Sequence, residues 1–331
     1  MSIIGNIGGQ SGGGSLTKSI LIVTAPTGST VTVTKGATTK TATEKNGEWW
    51  FKNLENGEWT IRAELDGKSA EEIFNITQFG VYRKAISYRM TPEFTYTSDY
   101  EVVQDDDTPI TDFATWKGNW KIRFLTSGDF TITNMHGFAG KIDVFMVGGG
   151  GGGNGHWAAV SNYGGGGGGG YTKTKLGMLC ETGKPYQIKV GAGGTAGNKG
   201  GETSSFSDSV LGGNPGKKDR DGGGNGGSGG GTYYDAGGSD GNGRNKSTGQ
   251  GTTTREFGEL KGTLYAGGGN GGWNNAGGPS RTEKDDPSIV QRGNAPNNRG
   301  GGGTGGYDGA SSGYLGGSGI VIIRNAREVA Q

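Results

Sequence analysis

Two histidines, His136 and His156, and one cysteine, Cys180, are all that the chain offers for imidazole or thiol chemistry. Neither histidine has a neighbouring nucleophile or a partner at metal spacing, so a Ser–His–Asp triad or a zinc site is not expected. A single cysteine rules out an internal disulfide and reads first as a small buried apolar residue. The acidic run at residues 105–107 could hold Ca²⁺ through clustered carboxylates. No ligand-spaced partner follows, and a solvated turn before Pro109 is the simpler reading. GNPGKK at 213–218 falls short of a phosphate loop, because Leu211 stands where the first glycine is needed and no Ser or Thr follows the lysine. GGSDGNG at 237–243 is one isolated stretch of calcium-repeat type and reads as a turn. G-x-G-x-x-G spacings carry no weight in so glycine-rich a chain, since no helical periodicity follows any of them. A carboxylate pair for glycan cleavage would be invisible in sequence. No catalytic residue, metal or cofactor is therefore assigned, and the chain is read as a non-enzyme.

The side chains that interrupt the glycine are more informative. Trp157 and Tyr163 lie in one insertion, Tyr233 and Tyr234 in another, and Trp273 with Asn274, Tyr307 and Tyr314 follow. Aromatic rings beside Asn, Asp and Ser combine flat stacking faces with directional hydrogen bonds, the chemistry of recognition loops. Such rings could equally seal the ends of a packed structure. For Trp157 and Tyr163 the two readings weigh the same; for Tyr233, Tyr234 and Trp273 binding is favoured. Residues 279–299 are charged, poor in glycine and read as an exposed excursion.

These residues must be positioned by an unusual chain. Glycine accounts for 76 of 331 residues, and 60 of those fall in 148–319. Leu, Ile, Val and Phe make up about a sixth of the chain, too few for one ordinary core of this length. The net charge is only +1, which argues against both a typical disordered chain and a dedicated nucleic-acid binder. No apolar run is long enough to span a membrane as a helix, and the N-terminus does not read as a secretory signal.

The N-terminal part reads as strands. Residues 30–34 (TVTVT) alternate with period two, and 20–23 (ILIV) form a short β-branched run. Two further strands fall near 70–77 and 81–90, giving six or seven at roughly ten-residue spacing, as a small β-sandwich requires. NGEWWFKNLENGEWTIRAEL at 46–65 resembles the hairpin of carboxypeptidase-regulatory-like or transthyretin-like β-sandwiches, through Gly47, Trp49, Phe51, Leu54, Gly57, Trp59 and Ile61. That resemblance implies a spacer or strut without catalytic groups. Residues 91–147 read as a second β unit with strands at 116–125, 128–133 and 141–147. Ahead of these strands, residues 1–15 form an arm in which Ile3, Ile4 and Ile7 are candidates for anchoring to a partner.

Glycine runs at 148–153, 164–170, 191–201, 222–231, 266–278 and 300–306 have two physical readings. They are flexible linkers, or they are polyglycine-II helices with three residues per turn, stacked so closely that only glycine fits. Short apolar strands at 142–147 and 320–324 bracket the region and would pair to close its base, with residues 186–190 joining them. The ordered series MVGGGGGGN, YGGGGGGGYTKTK, YQIKVGAGG, GQGTTTREFGELKGTLYAGGGNGG and GGSGIVIIRN resembles the glycine-rich domain of phage and prophage tail proteins, and is similar in architecture to receptor-binding tip adhesins. This resemblance favours the stacked bundle and implies loops offered to a bacterial surface.

The expectation is a mainly β protein: an arm (1–15), a small N-terminal β-sandwich (16–90), a second β unit (91–147), a polyglycine-II bundle (148–319), and a closing strand and tail (320–331). By resemblance its function would be a virion adhesin on the particle surface. The arm would contact other virion proteins and the loops a bacterial receptor, protein or glycan. No nucleic acid or membrane insertion is involved, and association into a trimer is left open. The alternative is a capsid head-fibre or decoration protein.

Overall fold

The computed structural model describes residues 18–65, 68–86, 91–136, 138–155, 163–218, 222–232, 234–272, 286–306 and 312–327. Ile3, Ile4 and Ile7 lie outside these residues. The chain divides into two compact units, one holding residues up to 93 and the other most of the remainder.

Among the described residues, eight strands build the first unit: β1 (Ser19–Thr24), β2 (Thr30–Lys35), β3 (Thr38–Thr41), β4 (Glu44–Lys45), β5 (Glu48–Leu54), β6 (Gly57–Leu65), β7 (Lys68–Ile76) and β8 (Val81–Ala85). They form two four-stranded sheets, ordered β4-β5-β1-β8 and β3-β2-β6-β7. Alternation places every second side chain inside, so Trp49 and Phe51 are buried while Trp50 between them is exposed. One cluster joins the sheets, with Leu21 and Val23 of β1, Val31 and Val33 of β2, Trp59 and Ile61 of β6, and Phe74 packed edge-on to Tyr82 at 5.2 Å. The motif residues Trp49, Phe51, Leu54, Trp59 and Ile61 of the sequence hairpin all belong to this core. β6 and β7 pair as far as Leu65↔Lys68, and residues 66–67 lie outside the described residues.

The second unit has a sheet base and a glycine body. Strands β9 (Glu93–Tyr96), β10 (Tyr100–Val103), β11 (Lys121–Phe124), β12 (Gly128–Asn134), β13 (Lys141–Val147), β14 (Thr172–Leu179), β15 (Pro185–Ile188), β16 (Thr203–Ser205), β17 (Asp208–Val210) and β18 (Ile320–Asn325) supply it. A five-stranded sheet runs β10-β11-β18-β13-β14. The bracketing strands do pair, antiparallel, from Ile142↔Asn325 to Val147↔Ile320. Strands drawn from 91–147 thus share sheets with strands from beyond the glycine rather than standing apart. Residues 186–190 do not join this sheet; β15 pairs with β12 in a separate three-stranded sheet. The strand expected over 116–125 is confined to Lys121–Phe124. Strand β13 is buried along nearly its whole length, because the sheet is covered on both faces. One cover is Phe257 and Tyr265, packed on Phe145 at 5.8 and 5.4 Å. Phe130, packed on Phe124 at 5.3 Å, belongs to the other.

Above the sheet, the glycine runs are ordered rods. Residues 148–154 donate their backbone N–H groups in strict rotation: Gly148, Gly151 and Asn154 to Tyr171, Gly168 and Gly165; Gly149 and Gly152 to Gly201 and Asn198; Gly150 and Gly153 to Gly317 and Tyr314. These bonds measure 2.8–3.0 Å. The carbonyls of the same rod accept with the same period from segments 194–197, 213–216 and 303–306. A three-residue rotation with no bond inside the segment is the signature of a polyglycine-II helix in a close-packed bundle. Residues 164–170 repeat the pattern, so 148–154 and 164–170 are two central antiparallel rods. Glycine is obligatory there, since a Cβ on Gly150 or Gly153 would lie 1.9 or 1.8 Å from a neighbouring carbonyl oxygen.

Two runs differ from the sequence reading. Residues 191–201 double back at Gly197, whose φ is +72°, so one run makes two antiparallel segments. Residues 222–231 double back likewise, with Gly230 donating to Gly224. The segment 211–217, poorer in glycine, is also a rod and bonds to Gly149 and Gly152.

Candidate functional site

The rods alternate in direction, which decides where the insertions go. At the sheet end they run directly into strands: Gly148 follows β13, Tyr171 precedes β14, Leu211 follows β17 and Gly319 precedes β18. The other end is where the chain turns back. There Asn154 donates to Gly165, Gly164 to Gly306, Gly272 to Gly164, Gly165 to Lys217 and Gly271 to Asp235, at 2.9–3.1 Å. The residues flanking 156–162, 219–221, 233 and 307–311, together with Gly272 before 273–285, are therefore gathered at one end of the bundle. The sheet closes the opposite end.

The candidate residues divide accordingly. Trp157, Tyr233, Trp273, Asn274 and Tyr307 lie outside the described residues. Tyr234 is 60% exposed at the loop end, as a contact residue must be. Tyr163 is only 5% exposed. It starts the central rod 164–170 and its Cβ lies against the Gly272 backbone, so it seals the rod end rather than presenting a ring. Tyr314 is half-buried and sits inside a rod, donating to Thr304 and accepting from Gly153 through its backbone.

Polar side chains clamp this end. Thr232 and Asn245 both donate to the carboxylate of Asp235. Asn270 accepts from the Gly237 N–H at 2.9 Å and donates to the Val290 carbonyl at 3.1 Å. Asn154 donates to the Gly216 carbonyl at 2.9 Å. The bonds of Asn270 and Asn154 satisfy backbone N–H and C=O groups of the packed segments. These positions carry no local pattern in the sequence; a polar residue adjoining a glycine run is their one signal.

The TTTREFG block at 252–258 serves the sheet end instead. Its Glu256 is buried beside Lys121 at 3.1 Å, and the Arg324 guanidinium lies over the Phe257 ring at 4.0 Å. Burial pushes the Glu256 carboxyl above its ordinary value, partly offset by Lys121. Arg324 also pairs with Asp143 at 3.0 Å and with Glu259 at 2.6 Å. Of the acidic run, Asp107 pairs with Lys121 and Arg123, and Asp105 with Arg327. The run does form the expected turn, closed by Asp107 N–H to Gln104 O at 3.1 Å, and Asp107 in it also partners the buried Lys121 and Arg123. Among the described residues no group of His, Cys, Asp and Glu is placed to hold a metal ion.

A family model described as a glycine-rich domain matches residues 125–326, which is more than half of the chain. It begins within the sheet base and ends at its closing strand. No curated protein matches the chain.

Proposed function

The chain belongs to the glycine-rich domain family, and from that premise we propose that it is a phage or prophage virion protein that attaches to a bacterial surface receptor. One observation carries the reading: the turns next to Asn154, Lys217, Asp235, Gly272 and Gly306 lie together at the end of the bundle opposite the sheet. A bundle cross-linked by backbone bonds holds its loop ends still, and preorganised loops lose less entropy on binding. Exposed Tyr234 at that end has the chemistry of a contact residue. The N-terminal sandwich, whose hairpin resembles strut modules, serves as spacer, and the segment carrying Ile3, Ile4 and Ile7 joins other virion proteins. Many copies on one particle convert weak single contacts into firm attachment.

The test is staining of a panel of intact bacteria by the fluorescently labelled full chain. Strain-selective staining is expected, and the folded Tyr233→Ala/Tyr234→Ala/Trp273→Ala variant should lose at least tenfold in apparent affinity. A folded chain that stains no strain removes the adhesin reading and favours a decoration role.

A further inference from the structure

The β16–β17 hairpin leaves the glycine body and returns to it: β16 follows the segment 191–201, and β17 leads into the rod at 211–217. Its turn therefore stands at the sheet end of the second unit. There the hairpin meets the end of β14 and the start of β15 around a cleft of about 690 Å³. That volume falls in the range of small-ligand sites, about 300–1,000 Å³.

The lining is amphipathic. Met178, Leu179 and Tyr186 give it apolar surface, and Ser205, Ser207 and Ser209 give it hydroxyls. The Tyr186 ring is held in place: it packs on buried Phe206 at 4.8 Å, and its hydroxyl accepts the Glu181 N–H at 2.9 Å. Lys184 lies over the same ring at 5.7 Å, but it is exposed and flexible, so a stacking ligand displaces it at little cost. The two charged side chains of the lining are matched within the protein, Lys184 by Glu181 and Asp208 by Lys173 and Lys175. A ligand seated here has no charge to supply.

Two further observations point to a ligand. Ser205 is 3% exposed, and its Oγ makes no hydrogen bond among the described residues. A buried hydroxyl without a partner is rare and calls for one. The second observation is the turn itself. Its two central residues, Phe206 and Ser207, have φ of +48° and +61°. Two-residue hairpin turns with both φ positive favour Asn and Gly. Packing on Tyr186 and Phe130 accounts for Phe206. Ser207 is exposed, and a chain with 76 glycines nonetheless places a hydroxyl there. Strain of this kind collects where ligands are held.

We propose that this cleft binds a neutral saccharide. The C–H face of a pyranose ring lies on Tyr186, and the serine hydroxyls exchange hydrogen bonds with its hydroxyl rim. The inference goes beyond the adhesin reading, since the cleft is at the end of the bundle opposite the loops.

The full chain is titrated calorimetrically with maltotriose, with the N-acetylglucosamine trisaccharide and with a galacturonate trisaccharide, at low and physiological salt. At least one neutral trisaccharide should bind, with an affinity that salt leaves unchanged. Ser207→Gly relaxes the turn, so it should keep or raise the melting temperature while lowering the affinity at least fivefold. That split distinguishes a contact residue from a structural one. Tyr186→Leu should lose at least tenfold; should it misfold, Ser207→Gly decides. Absence of binding by both neutral sugars, tighter binding of the galacturonate sugar, or an unchanged affinity in Ser207→Gly overturns the proposal. The Tyr233→Ala/Tyr234→Ala/Trp273→Ala variant should bind the sugar as the wild type does. Loss of sugar binding in that variant overturns the cleft and leaves the adhesin reading intact. Sugar binding that Ser207→Gly weakens, in a chain that stains no bacteria, keeps the cleft and removes the adhesin.

Discussion

Gly150 and Gly301 stand so close that a Cβ on the first would lie 1.9 Å from the carbonyl oxygen of the second. Neither backbone can yield, since Gly150 donates to Gly317 and accepts from Gly194, and Gly301 accepts from Gly317. Gly150→Ala should therefore cost more than about 4 kcal/mol, the range reserved for core disruption. Gly177→Ala is the control, because a Cβ there meets nothing within 4 Å and only its φ of +65° is strained. Its cost should be about 1 kcal/mol. Denaturant melts of the two variants check the contrast; similar midpoints would remove the stacked-rod account.

The pairing of Asp107 with Arg123 and Lys121 predicts acid sensitivity. Burial opposes ionisation of Asp107, but hydrogen bonds from Arg123 and Lys121 outweigh it and hold the carboxyl below its ordinary value. A depressed carboxyl contributes stability that is present above the unfolded-state pKa and lost as pH falls through the folded one. Asp107→Asn should cost about 2 kcal/mol at neutral pH, by leaving charged hydrogen-bond donors without their acceptor. Below the usual carboxylate range the variant and wild type should converge. Thermal melts across pH 2–7 measure the gap, and a gap that does not close on acidification contradicts the assignment.

Glu256 has the opposite sign. Its raised carboxyl contributes stability that is full below the unfolded-state pKa and falls away as pH rises through the folded value. Lys121, equally buried, would be left without this partner in Glu256→Leu, a loss of about 3 kcal/mol at pH 7. The double variant Lys121→Met/Glu256→Leu should recover most of that loss, since an apolar pair of similar volume replaces a buried ion pair at little cost. A double variant no better than the single one would contradict a direct coupling.

Cys180 should be chemically silent. Burial pushes its thiol up to about 12, only partly countered by Lys184, so thiolate is scarce at neutral pH. Alkylation of the native chain at pH 8 should be at least tenfold slower than in denaturant. Equal rates would show the base of the unit to be open.

In the sandwich, Trp49 of β5 is almost wholly buried. Trp49→Ala should cost about 3–5 kcal/mol. Hydrogen exchange should locate the loss in β1 and β5, where Val23 pairs with Trp49, while the amides of 148–154 keep their protection.

Much of this architecture could be read from residue order. Period-two patterning marked the strands of the sandwich, because one buried face per strand imposes that period wherever the strand lies in the fold. The apolar runs at 142–147 and 320–324 could be matched as partners, since each is too apolar to face water and each abuts glycine. Local sequence had no means of telling a linker from a rod. A polyglycine-II segment has no internal hydrogen bond, so its order comes entirely from neighbours far away in the chain, as when Gly150 bonds to Gly317. The same physics hid the doubling back at Gly197, the rod at 211–217 and the burial of Tyr163, each set by which rods lie alongside. Direction was decided there too. The closure of one end by the five-stranded sheet leaves the other for the turns beside Asn154, Lys217 and Gly272, and that closure is a property of the tertiary structure and not of any single segment.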